Sequence, residues 1–171
     1  MPKLIELKDG VAKGVEDPFT NLADDQDLAE GDVIVSLARF QADGERLLSE
    51  GRRVGVRLQA GEQVEALVYD LPRLAVVALE FPKYRDGRAY TNGRLLRDRF
   101  HFRGEVRAVG EVLREQAGFM VRVGFNTFEP ADDASANEWQ AAVHRYRHVY
   151  QRAADGRIPV FGERAFAERG A

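Results

Sequence analysis

Cysteine is absent from the 171 residues. That excludes disulfides, thiolate-ligated clusters, redox dithiols and cysteine nucleophiles together. Histidine is scarce: His101, His144 and His148 are the three in the chain. His144 and His148 stand at a spacing that can bind metal on a helix, but no third ligand accompanies them and Arg145 and Arg147 would repel a cation, so no metal site is expected. No apolar run approaches the roughly 18 residues of a membrane span. The stretch Met1 to Lys8 lacks the apolar core of a signal segment, so the cytoplasm is the expected location. Positive charge is not in excess either. The 25 Lys and Arg are outnumbered by 28 Asp and Glu, giving a net charge of −3 and no global basic field for nucleic acid. Fingerprints for nucleotide, flavin or nicotinamide binding are missing, and no nucleophile elbow surrounds Ser36, Ser49 or Ser135. No cofactor is expected.

What the chain does have is 44% hydrophobic residues at the length of one domain, enough for a sizeable core. The stretch Leu74 to Phe128 reads strand, helix, strand, helix, strand. Its first strand, Leu74 to Phe81, has the near-continuous apolar composition of a strand buried on both faces. Earlier strands are expected at Val33–Val35 and Val54–Leu58. Helices are expected after Ser36, from Gln63 to Leu71, after Asp86, and from Glu111 to Val123. Ser135 to Glu138 matches a capping box, starting a helix whose apolar stripe runs from Trp139 to Tyr146 and Val149 or Tyr150.

These units predict a single α/β domain with a mainly parallel sheet, either doubly wound or a partial TIM-like barrel. Residues 31–152 would form the β/α domain. Residues 1–30 read as an irregular N-terminal arm, with an edge strand at Leu4–Leu7 and a turn at Lys8–Gly10. Residues 153–171 read as an extended C-terminal arm whose exposed apolar residues could dock on the domain, on a partner or on a second copy.

Parallel sheets bind ligands at the carboxyl ends of their strands. That rule singles out Glu80, Lys83, Arg88, Arg107 and Asn126. Glu80 and Arg107 are charges on strands expected to be buried, and a bidentate pair between them would satisfy both. Alternatively Lys83, Arg88 and Arg107, with Asn126, would clamp a small oxyanion. Glu80 is then a weak candidate for a general base in an enzyme, although an arginine partner favours its charged form and opposes that role.

The segments Phe81–Arg88, Arg94–Arg97, Gly104–Arg114 and Gly124–Asn126 resemble a bacterial family, domain of unknown function nine-three-four, and the likeness extends over roughly Asp32 to Phe161. Members of that family are typically encoded beside assimilatory sulfite reductase and are sometimes labelled probable oxidoreductases. The family commonly has Arg-Cys-Gly-Phe-Asp where this chain has Arg122 to Asn126, so Val123 replaces a thiol and Asn126 a carboxylate. The resemblance implies an accessory protein of sulfate and sulfite assimilation that binds a sulfur-pathway enzyme or an oxyanion. An enzyme using the strand-end pocket and a structural or oligomerisation module are the alternatives.

Overall fold

The computed structural model describes residues 4–169. Leu4–Lys8 (β1) and Val11–Val15 (β2) form a hairpin whose two-residue turn uses Asp9 and Gly10, both at positive φ. Phe19–Asn21 (β3) and Asp32–Ser36 (β4) follow, then the helix Leu37–Ser49 (α1). Val54–Leu58 (β5), Val76–Phe81 (β6), Arg88–Asp98 (α2) and Glu105–Gly110 (β7) continue the alternation. Ala117–Arg122 (α3), Thr127–Phe128 (β8), Ala136–Val143 (α4) and Val160–Arg169 (α5) complete it.

All eight strands share one sheet, in the order β2-β1-β8-β7-β6-β5-β4-β3. From β3 to β8 neighbours are parallel, whereas β1 pairs antiparallel with both β2 and β8. The sheet is therefore mixed, not mainly parallel. The cause is the segment expected as an irregular arm. Leu4, Ile5 and Ala12 are buried, and burying them requires the hairpin to join the sheet beside β8.

Strand order follows chain order from β3 to β8 with no reversal. A doubly wound sheet needs such a reversal. Here the sheet curls into a half-barrel instead. Only Glu16, Asp17 and Pro18 separate β2 at one edge from β3 at the other. Four residue steps span at most about 14 Å, whereas a flat eight-strand sheet would hold its edges about 34 Å apart.

Alternation along the strands divides the core. Val33, Val35, Val56, Leu79 and Val106 point to the face covered by helices, where the main core lies. Phe19, Ile34, Val76, Ala78 and Val109 fill the inner face. That interior is tightly packed: a Cβ on Gly55 would come within 2.9 Å of both Ile34 and Val76.

Several expected helices are shorter or tighter. Gln63 to Leu71 forms 3-10 turns at Val64–Leu67 and Leu71–Arg73, the second containing Pro72, which cannot donate a helical hydrogen bond. The segment expected as one helix from Glu111 is still extended at Leu113, then makes a 3-10 turn at Arg114–Gln116 before α3. The backbone N–H of Glu111 is held by the Phe81 carbonyl at 2.8 Å, which keeps the chain in the sheet. The C-terminal segment expected to be extended contains α5. Its start is anchored where the Val160 N–H donates to the Val149 carbonyl at 2.8 Å. No helix among the described residues is long and apolar enough to cross a membrane.

Candidate functional site

The strand-end residues do not gather into one pocket. Arg107 is the third residue of β7, opposite Ala78, and is 0% exposed. It pairs with Asp17 at 2.5 Å, Glu105 at 2.7 Å and Glu129 at 3.3 Å, and its Cζ lies 5.7 Å from the centre of the Phe19 ring. Burial disfavours the guanidinium charge, but hydrogen bonds and attraction from Asp17 and Glu105 outweigh it and hold its pKa above the ordinary value. An arginine enclosed by three carboxylates has no vacancy for an anion. Asp17 lies in the link between the two sheet edges, so this cluster bolts the curl of the sheet.

Glu80 is not the partner of Arg107. In the parallel register Glu80 stands opposite Val109, two residues further along, and it pairs with Arg57 on β5 at 3.2 Å. Arg88 forms an exposed pair with Asp86 at 2.6 Å; the Arg88 hydrogen bonds hold the Asp86 carboxyl down to about 2. Lys83 is exposed in the same loop. Asn126 lies at the opposite end of the sheet, because β8 begins after it, at Thr127. Its Oδ1 accepts from the Val106 N–H at 2.8 Å and from Arg97 at 3.4 Å. An amide keeps the acceptor that a carboxylate would supply there, so Asn126 fastens β7 to the approach of β8. Val123 is buried in the main core.

A different region is open. A groove of about 960 Å³ runs between α3, α4 and the segment after α4. Phe119, Tyr146 and Tyr150 line it and are 57%, 68% and 80% exposed. Beside it a smaller hollow of about 420 Å³ is lined by Ile158, Phe161 and Phe166, and Arg157 borders both. Six of the nine exposed large hydrophobic residues identified among the described residues therefore lie along these two hollows.

The groove is built by an early helix stop. Ser135 and Glu138 make the expected reciprocal capping box, and Trp139 at 0% exposure stacks on Phe128 with ring centres 4.9 Å apart. The helix ends at Val143, so Tyr146 and Tyr150 do not continue its buried stripe. His144 Nε2 lies 2.7 Å from the Gly10 carbonyl, and His148 Nδ1 lies 2.7 Å from Glu163, so the two imidazoles serve different contacts. Gly118 lets α3 pass close to α4: a Cβ there would be 3.3 Å from the Ala142 carbonyl.

Charge at the groove is uneven. Arg114 pairs with Glu138 at 2.9 Å and Arg122 with Asp155 at 3.2 Å. Arg157 donates to the carbonyls of Tyr146 and Arg147 at 3.0 Å and 2.6 Å, and Arg145 lies 5.8 Å from the Tyr146 ring centre. Among the described residues neither Arg145 nor Arg157 has a carboxylate at ion-pair distance from its guanidinium. The sequence held a signal for this surface. From Trp139 to Ala154 there is no Asp or Glu, while Arg145, Arg147 and Arg152 alternate with aromatic and histidine side chains.

No curated protein matches the chain. The family described as "Bacterial protein of unknown function (DUF934)" matches residues 55–161, more than half of the 171 residues. The match begins in β5, includes all of β6, β7 and β8, and contains every residue that lines the larger groove. The chain belongs to this family.

Proposed function

We propose that the protein is an accessory factor of assimilatory sulfate and sulfite reduction and acts by binding a sulfur-pathway enzyme. The supporting observation is the gathering of six exposed large hydrophobic residues along two adjoining hollows. Concentrated exposed apolar surface costs solubility and marks interaction sites. The sulfur assignment comes from the family's usual association with sulfite reductase. An oxyanion clamp at Lys83, Arg88, Arg107 and Asn126 receives less support, because Arg107 is enclosed by carboxylates and Asn126 is engaged at the other end of the sheet.

Affinity capture with the tagged full chain from sulfate-grown bacteria is the test. Recovery of sulfite reductase or phosphoadenylylsulfate reductase, together with slow growth of a deletion strain on sulfate, is expected. Recovery of neither enzyme, with normal growth on sulfate, contradicts the proposal.

A further inference from the structure

We infer that the groove between α3 and the segment following α4 receives an acidic protein segment carrying large apolar anchors. This rests on the binding function proposed above and specifies the chemistry of the partner. The anchors would pack between Phe119, Tyr146 and Tyr150, three rings that the fold exposes. Burying such rings in a shared apolar contact is the main source of binding energy at protein interfaces. Carboxylates flanking the anchors would meet Arg145 and Arg157, which line the groove. These guanidinium groups lack a carboxylate at ion-pair distance among the described residues, although the whole chain carries a net charge of −3. An excess of arginine over glutamate along a groove, here Arg114, Arg122, Arg145 and Arg157 against Glu115 and Glu138, steers acidic partners and disfavours basic ones.

The extent of the surface favours a protein segment over a small molecule. Arg157 lines both the groove and the second hollow, where Ile158, Phe161 and Phe166 are exposed. A compact ligand would fill one hollow and leave the other apolar side chains exposed. An extended segment can cover both.

The experiment records amide NMR spectra of the full chain during titration with three synthetic peptides and with ATP. One peptide alternates Glu with Leu and Trp. The second replaces each Glu with Lys, and the third replaces each Leu and Trp with Ala. The acidic apolar peptide is expected to shift resonances of residues 118–122 and 141–151, and to bind at least about tenfold more tightly than the other two. Arg145→Glu and Tyr150→Ser are expected to weaken it by about tenfold or more, whereas Tyr69→Ser, at a residue 95% exposed elsewhere, leaves it unchanged. Raising salt from about 0.05 to about 0.5 M should also weaken it.

Equal binding of the lysine peptide, no binding by any peptide, or indifference to both groove variants overturns the inference. Binding of ATP in the groove without binding of the acidic peptide makes it a small-ligand site and overturns it. Concentration-dependent shifts of the same residues without any peptide assign the surface to a second copy, and also overturn it. Success here alongside failure to capture a sulfur enzyme would remove the pathway assignment alone.

Discussion

Arg107 is a buried charge that is stable only in company. Removing a partner from a buried ion pair costs on the order of 3–5 kcal/mol, because the remaining charges stay desolvated. Arg107→Met leaves Asp17, Glu105 and Glu129 facing one another without the cation. Its urea unfolding midpoint should fall accordingly, by about 3 kcal/mol or more in stability. Asp17→Asn should cost less, since Glu105 and Glu129 continue to hold the guanidinium. A midpoint for Arg107→Met equal to that of the parent would refute the role given to this cluster. That a buried charge in β7 needs a partner was legible in the sequence. Its identity was not: Glu80 lies on the adjacent strand but two residues out of register, and Asp17 lies 90 residues away. The position of Asn126 is hidden from the sequence for a related reason. The sequence suggests a short strand from Phe125 to Phe128, but the strand begins only at Thr127, and its first residue decides which end of the sheet the Asn126 side chain occupies.

Local signals were read well where the interactions that create an element are themselves local. The capping box at Ser135 is one such case. Its hydroxyl accepts from the Glu138 N–H at 3.3 Å, and the Glu138 carboxylate accepts from the Ser135 N–H at 2.8 Å. Ser135→Ala should destabilise the fold by about 1 kcal/mol, measured by thermal or urea unfolding. An unchanged stability would mean that α4 is held by Trp139 alone. Gly110 is the opposite kind of position, set by tertiary crowding. It sits at φ +95°, and a Cβ there would lie 2.4 Å from the Phe81 carbonyl oxygen. Gly110→Ala is expected to cost more than the cap, because strained backbone and a clash with main chain combine. Direct comparison of the two variants checks the ranking. Where helices stop was harder to read. Apolar periodicity continues through Tyr146 toward Tyr150, yet α4 ends at Val143 and those rings remain in water.

At the scale of the molecule, the curl of the sheet follows from connectivity. A three-residue link joins opposite edges, and a packed interior fills the resulting half-barrel. Neither feature can be read from strand patterns, because edge-to-edge closure depends on which strands pair. The same closure leaves the outer helical side as the accessible apolar surface. Tyr90 joins the two regions: its ring contacts Phe81 in the core and Phe119 at the groove, with centres 5.0 Å and 4.9 Å apart. Burial pushes its phenol up to about 12, against a hydrogen bond with Gln116. A pKa raised on folding means that the folded state holds its proton while the unfolded chain loses it. The associated stability is present below pH 10 and is lost as pH rises from 10 toward about 12. Tyr90→Phe should show a smaller alkaline loss of stability in denaturant titrations over that range. An identical loss would mean that the phenol is not shielded.

Hydrogen–deuterium exchange of the full chain, alone and with purified assimilatory sulfite reductase, tests the docking function most directly. Protection should concentrate in residues 118–122 and 141–151, with the strand-end loop at residues 82–88 unchanged. Protection confined to that loop, or no protection anywhere at saturating enzyme, would contradict it.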